Sequence, residues 1–410
     1  MSTPRVVVTG VGTVNPIGNT ATEFWRNAVA GKSGIGSITR FDATDFHVKC
    51  AAEIKDFDPY AHMDPKIADR SPSAVHYGLT ATKEAMAQAG IDMSRETPER
   101  VGVEVAYMVD SSYILRQAEA VERRGSRRVD PLFAARSGPS APAMQIGMVF
   151  QARGPNSSAH SLCASGADAI GTAMQFIKLG HADVMIAGGT DSCLSSMHMT
   201  GLDILGAVSR EPNPEIACRP FDAERSGLVF GEGAGIVVLE SLEHAKARGA
   251  EILAELAGAG WSFDALDQPA QSSEPAAYAM KFAMAQAGVS ATEVSYVNAH
   301  GTGTRLNDPM ETLALKLAFG DHAYNLAASS MKSMIGHAIS ASGAIESIAC
   351  IMTLMTGVLH PTINYQTLDP ECDLDYVPRT AREVNADVCL SSNFGLGGQN
   401  CCLVFRRFRG

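Results

Sequence analysis

Cys163-Ala-Ser-Gly-Ala-Asp-Ala-Ile-Gly-Thr-Ala173 and Ser340-Ala-Ser-Gly-Ala-Ile-Glu-Ser-Ile-Ala349 decide the fold class of this chain. Both stretches hold Ala-Ser-Gly-Ala and continue as helices with small residues on one face. Small residues let a helix pack closely against another helix or a sheet. Outward from these stretches, short apolar runs alternate with glycine-rich turns. Arg5–Val14, Val101–Val109, Asp183–Gly189 and Gly235–Leu239 read as buried strands, and Thr20–Gly31 and Thr80–Ala89 as helices. This mixture predicts a layered α/β fold. The echo is short, but with two strand-rich halves it predicts a duplicated α/β unit. The boundary is expected near residue 250, after Leu242–Ala250, giving halves 1–250 and 251–410.

The composition narrows the function. The chain has 410 residues, 46% hydrophobic and 19% charged, which is globular. Its 33 basic and 44 acidic residues give a net charge of −11. Such a surface repels nucleic acid, so a polyanionic or acidic partner needs a local basic patch. The nine cysteines form no Cys-x-x-Cys pair and are odd in number, which reads as reduced thiols. The segment from Met1 enters a strand-like run without the long apolar stretch of a secretory leader. No run of about 18 apolar residues is evident, so no membrane span is expected and the expected location is cytoplasmic. Glu119–Asp130 carries Arg123, Arg124, Arg127 and Arg128; it reads as a solvated loop or helix end, or as a basic spot for an acidic partner.

Four segments carry chemistry. Cys163 precedes a run of small helix formers, where unpaired backbone N–H groups and the helix dipole favour thiolate. It reads as a nucleophile or as a buried structural cysteine. Asn298-Ala-His-Gly-Thr-Gly-Thr304 delivers His300 from a strand into a turn whose glycines allow close approach to a ligand. Thr302 and Thr304 could hydrogen-bond a polar arm, although a lone histidine also fits an ordinary turn. Lys332 precedes His337 by five residues, and Glu346 follows on the next helix. A Lys–Glu pair there could orient a histidine ring, or be an ordinary ion pair. Ser392–Asn400 packs three glycines behind Phe394; its N–H groups could stabilise an anion, or it could be a plain turn before the last strand. The His and Cys spacings match no zinc pattern, so no metal is expected.

In this order the segments resemble the β-ketoacyl-acyl-carrier-protein synthase II type of ketosynthase, in the thiolase superfamily. The likeness runs from Val6-Val-Val-Thr-Gly-Val-Gly-Thr-Val-Asn-Pro-Ile-Gly18 to the end of the chain. It includes Arg219-Pro-Phe-Asp-Ala-Glu-Arg-Ser-Gly-Leu-Val-Phe-Gly-Glu-Gly-Ala-Gly235. The resemblance implies two similar α/β halves in a five-layered αβαβα core, assembled as dimers. It implies an acyltransferase that performs decarboxylative Claisen condensation. Cys163 would be acylated, His300 and His337 would be the catalytic histidines, and Lys332 and Glu346 their support. Thr302 and Thr304 would hold phosphopantetheine. Phe394 would be the gating aromatic, and its N–H and that of Cys163 the oxyanion hole. No bound cofactor is implied, because substrates arrive on the phosphopantetheine of an acyl carrier protein. Lys66, Arg70 and Arg210 match the neighbourhood of carrier docking.

Departures from the pattern point to a subgroup. Tyr107, Met108 and Val109 stand where fatty-acid members carry a glycine-rich acyl-pocket stretch, so added volume must fill or redirect that pocket. Trp261–Ser272 replaces the usual loop while keeping Asp264, and Gln399 stands where threonine is usual. Asn307-Asp308 and Glu311 resemble the ketosynthase-alpha subunits of type II polyketide systems. The expectation is therefore polyketide chain extension, as a homodimer or beside a chain-length-factor subunit. The alternative is 3-oxoacyl-carrier-protein synthase II of fatty-acid elongation. A non-catalytic chain-length-factor-like partner is disfavoured by Cys163, and a degradative thiolase by the lack of a second cysteine in the glycine loop.

Overall fold

The computed structural model describes residues 4–125, 127, 129–267 and 270–410. Ten strands share one sheet: β1 (Val6–Val14), β2 (Val101–Ala106), β3 (Asn156–Ser157), β4 (Val184–Asp191), β5 (Gly233–Ser241), β6 (Ala254–Phe263), β7 (Tyr296–Asn298), β8 (Ala327–Ser329), β9 (Val388–Phe394) and β10 (Gln399–Arg406). Their order is β8-β7-β9-β10-β6-β1-β5-β4-β2-β3. Counted outward from the centre, each half reads first, fifth, fourth, second, third. In each half the first, fifth and fourth strands pair antiparallel, and the fourth, second and third pair parallel. The halves join where β1 lies antiparallel to β6, with Val6 opposite Leu256 and Val8 opposite Ala254. The duplicated α/β fold expected from the echo is thus repeated in strand order and in pairing sense.

Helices complete five layers. Helix α1 (Ser73–Ala89) covers β1 on one outside, and α3 (Ser273–Ala287) with α4 (Asn307–Phe319) covers β6 on the other. Between the sheet halves lie α2 (Ser165–Lys178) and α5 (Ser342–Thr356). The shared Ala-Ser-Gly-Ala is their crossing. A Cβ on Gly166 would lie 2.5 Å from the Ser340 carbonyl oxygen, and one on Gly343 2.8 Å from the Ala167 nitrogen. Backbone fills the space a side chain would need, so both glycines are forced by packing.

Three expectations change. The strand starting at Val101 stops at Ala106, because Asp110 caps a helix over Ser111–Arg124 and draws the chain out of the sheet. The helix ending at Ala89 begins at Ser73, just after Pro72, rather than at Thr80. One segment, Ile339–Thr356, does have the length and hydropathy of a membrane span; it is 83% buried and forms the central layer. Its apolar character on all sides follows from being packed between two sheets.

Candidate active site

The two halves place their chemistry at equivalent turns. Leu162 and Ile339 hold φ of +52° and +45°, a left-handed conformation costly for branched residues. Each opens a short 3₁₀ turn, Leu162–Ala164 or Ile339–Ala341, that runs into a central helix. The serine opening each helix fastens its turn: Ser165 Oγ accepts from Ser161 N at 2.8 Å, and Ser342 Oγ from Ala338 N at 2.9 Å. These turns set Cys163 and Ser340 at matching positions.

Cys163 is half-buried at the wall of a cavity of about 640 Å³, which His300, His337, Phe394, Thr302 and Thr304 also line. The helix start was expected to favour thiolate. Instead burial pushes the thiol up to about 11, with the Leu396 amide and Lys332 opposing only in part. The sulfur packs against the apolar cluster containing Cys193, Leu194, Met199 and Ile339, and the desolvation there exceeds the dipole's help.

Both imidazoles are buried, face each other at 5.4 Å between ring centres, and lie nearly perpendicular. His337 Nδ1 accepts from the Ile339 N–H at 3.1 Å, so the ring hydrogen sits on Nε2. That Nε2 has no hydrogen-bond partner among the described residues. His300 Nδ1 lies 3.4 Å from Lys332 Nζ, an ammonium that can only donate, so its hydrogen also sits on Nε2. Burial, first, and the Lys332 charge hold both rings well below the usual histidine range, so they are neutral. Lys332 pairs with Glu346 in the interior; burial raises that carboxyl to about 7 against the opposing pull of Lys332.

The turn carrying His300 is held by two carboxylates of α4, a role that sequence reading missed. Glu311 accepts from His300 N at 2.8 Å, Gly301 N at 2.7 Å and Ser392 Oγ at 2.8 Å. Asp308 accepts from Gly303 N at 3.2 Å and Phe221 N at 2.7 Å. Their only sequence signal was the Asn307–Glu311 run. Thr302 and Thr304 hydroxyls lie 3.0 Å apart at the cavity wall. Phe394 is buried with its ring 5.5 Å from that of His300. Asp264 accepts from Asn400 Nδ2 at 2.7 Å and Ser272 N at 3.1 Å, tying its loop to the last strand.

Other expected residues lie elsewhere. Tyr107, Met108 and Val109 do not line the cavity. Tyr107 is fully buried with its hydroxyl accepting from Asp110 N at 2.5 Å, and Met108 packs on the cluster behind Cys163. Arg210 is at the cavity mouth, but Asp203 accepts from it at 2.7 Å. Lys66 and Arg70 are exposed on a short helix outside the cavity wall. Arg123 pairs with Glu119 at 2.7 Å, Arg124 and Arg127 are exposed, and Arg128 lies outside the described residues. The mouth also holds residues that sequence reading missed: exposed Arg305, and Ile204 and Leu306, which are 81% and 64% exposed. Among the described residues, no three His, Cys, Asp or Glu side chains are grouped to hold a metal ion.

The sequence matches the family described as "Beta-ketoacyl synthase, N-terminal domain" over residues 3–245 and "Beta-ketoacyl synthase, C-terminal domain" over 253–366. The chain belongs to the β-ketoacyl synthase family. It is 39% identical over 413 residues to "3-oxoacyl-[acyl-carrier-protein] synthase 2" of Synechocystis sp., covering 99% of this chain and 98% of that protein. Two solved structures are similar at 32% identity over the whole of both chains. They are "the ishigamide ketosynthase/chain length factor" (TM-score 0.92) and AntDE:AntF, a "type II PKS acyl-carrier protein in complex with its ketosynthase bound to the hexaketide" (TM-score 0.91).

Proposed function

We propose that this β-ketoacyl synthase extends a polyketide chain by condensing an acyl group on Cys163 with a malonyl group on an acyl carrier protein. The observation that carries the condensation is two neutral imidazoles, each with its hydrogen on Nε2, lining the same cavity as a cysteine, and the likeness over both whole chains to two polyketide ketosynthase structures supports the polyketide substrate. Cys163 sulfur attacks the incoming thioester; its proton leaves with the departing thiol of the carrier arm. Thr302 and Thr304 bind that phosphopantetheine arm. When malonyl thioester enters, its carboxylate leaves as carbon dioxide and the bond's electron pair moves into the enolate. The Nε2–H groups of His300 and His337 hold the enolate oxygen, a charge that neutral donors stabilise without protonating carbon. The enolate carbon attacks the acyl-cysteine carbonyl. Backbone N–H groups of Cys163 and Phe394 hold the tetrahedral oxyanion until the Cys163 thiolate leaves. Phe394 gates entry. The halves divide the work, 1–250 supplying the nucleophile and 251–410 the histidines.

The acyl carrier protein is acidic by family, so it docks at Lys66, Arg70 and Arg305, with Arg210 contributing less because Asp203 already pairs with it. The enzyme works in the cytoplasm beside a chain-length-factor subunit, as in the ishigamide assembly; a homodimer is the alternative. A second reading, fatty-acid elongation, is favoured by the 39% identity to the Synechocystis protein against 32% to the polyketide ketosynthases. The experiment is elongation of acyl-carrier substrates of increasing length, by the isolated protein and by the protein co-expressed with candidate partners. Efficient elongation of long saturated chains by the isolated protein would overturn the polyketide reading. Condensation by Cys163→Ala would overturn both.

A further inference from the structure

Two turns match across the duplication, and the one bearing Cys163 carries a polar brace that the other lacks. Ser161 precedes the left-handed Leu162 that opens the Cys163 turn. Its hydroxyl donates to Asp168 Oδ2 at 3.0 Å. Asp168 stands half-buried in the first turn of α2. Its Oδ1 accepts from Thr172 Oγ1 at 3.4 Å and from the indole Nε1 of Trp261 at 2.9 Å. At the matching positions of the second half, Ser161, Asp168 and Thr172 correspond to Ala338, Ile345 and Ala349, all buried in the apolar core. The brace therefore belongs to the half that carries the cysteine and not to the shared fold.

The difference follows from what each turn must leave free. In the second half the turn is fastened at its own tip, where Ser340 N donates to Asp191 at 3.1 Å. In the proposed condensation the Cys163 N–H is kept for the oxyanion, so the equivalent fastening is not open to the first half. Leu162 at φ +52° is strained, and its relaxation would swing the next residue, Cys163, away from its present direction. Ser165 Oγ resists this by accepting from Ser161 N at 2.8 Å and donating to the Leu162 carbonyl at 2.6 Å. Asp168 adds a hold on the Ser161 side chain. Trp261 extends that hold to the second half. It lies on β6, and its ring packs so closely on α2 that a Cβ on Gly171 would lie 2.6 Å from Cζ2. One carboxylate thus ties the turn bearing Cys163 to the half that holds His300 and His337.

We infer that Asp168, through its contacts with Ser161 and Trp261, is a positioning residue that holds the Cys163 sulfur in its attacking orientation. The inference rests on the condensing-enzyme reading of Cys163 and adds a residue to its machinery. A first-turn carboxylate also favours its helix through the dipole, a contribution that acts on stability alone. The experiment must therefore separate alignment from stability.

Two rates measured on the same protein do so. Acylation of Cys163 by hexanoyl N-acetylcysteamine thioester, followed by intact-protein mass, needs the aligned sulfur. Carbon dioxide release from malonyl N-acetylcysteamine thioester needs the histidines and not the sulfur. Ser161→Ala, which removes one oxygen and cuts the brace, should slow acylation about tenfold, the worth of one hydrogen bond to a carboxylate, and leave carbon dioxide release within about twofold. Asp168→Ile, which copies the second half, should do the same. Asp168→Asn can still accept from Trp261 and donate to Ser161, so it should recover most of the acylation rate. Trp261→Phe should slow acylation when Ser161 is present and add nothing to Ser161→Ala, because its route to the turn is then cut. Ser161→Ala and Trp261→Phe carry the test if Asp168→Ile does not fold. Equal loss of both rates marks a merely structural role and overturns the inference, as do additive losses from Ser161→Ala and Trp261→Phe. Wild-type acylation matched by folded Ser161→Ala overturns this inference alone. A wild-type Cys163 that takes no acyl group overturns it together with the condensing-enzyme reading.

Discussion

Replacing the Lys332–Glu346 pair should separate stability from chemistry. Both side chains are essentially inaccessible, at 1% and 0% exposure. Removing one member of such a pair typically costs 3–5 kcal/mol, because the other charge is left in the interior. For Lys332→Met the lower figure applies. Glu346 already sits at about 7, and Lys332 is what holds it down, so without the lysine it takes up a proton near neutral pH. A loss of about 3 kcal/mol is survivable for a domain of ordinary stability. The double variant Lys332→Met, Glu346→Leu removes both charges and fills similar volume, which should recover most of that loss. Decarboxylation of malonyl thioester should not recover. Without Lys332, nothing donates to His300 Nδ1, the ring populates both tautomers, and in one of them Nε2 faces the enolate as a lone pair. A lost donor of this kind costs on the order of 10²–10³ in rate. Urea midpoints at constant slope measure the first quantity, and carbon dioxide release the second. A double variant that regains both stability and decarboxylation would refute the claim that Lys332 sets the His300 tautomer. A single variant with an unchanged midpoint would refute the buried-pair argument.

Glu311→Gln should keep an acceptor for only part of the His300 turn, and the orphaned donors should lower stability by about 1–3 kcal/mol and slow decarboxylation; an unchanged urea midpoint and turnover would show that Glu311 does not hold the turn. Iodoacetamide labelling of Cys163 should rise about tenfold per pH unit from about pH 7 to pH 9, because a thiol raised to about 11 gains thiolate throughout that range. A plateau below about pH 8 would mean that the helix start outweighs burial after all. Arg305→Glu should lower kcat/KM for carrier-protein substrate about tenfold more than for a small thioester, and the gap should shrink at high salt. Arg210→Glu should matter less, since Asp203 already neutralises that guanidinium; a larger effect at Arg210 would reverse this ranking.

How much of this was legible in the sequence depends on what each residue answers to. The Ala-Ser-Gly-Ala echo could be read because backbone contact at Gly166 and Gly343 tolerates no side chain, a constraint that acts on residue type. The left-handed turns at Leu162 and Ile339 were hidden, since neither residue type advertises that conformation. His300 stood out by its glycine and threonine neighbours, but the Glu311 clamp arises when α4 folds back on the turn, and spacing alone does not show that. The Cys163 error has the same root. A helix start is visible in sequence; the desolvating cluster from Cys193, Met199 and Ile339 is assembled from distant segments. The same logic explains why a duplicated fold carries a single site. At the position matching Cys163 the second half has Ser340, whose N–H is tied at 3.1 Å to Asp191, a residue of β4 in the first half. At the position matching His337 the first half has His160, which is exposed. Each half therefore keeps the turn and lacks part of the chemistry. The cysteine of one, the proposed nucleophile, and the imidazoles of the other meet where α2 and α5 cross, so the glycine contact that sets the fold also sets the distance from Cys163 to the histidines. Gly166→Ala, placing a methyl 2.5 Å from the Ser340 carbonyl, must part the helices and should impair condensation even in protein that remains folded. Wild-type condensation by a folded Gly166→Ala variant would show that the site does not depend on that crossing.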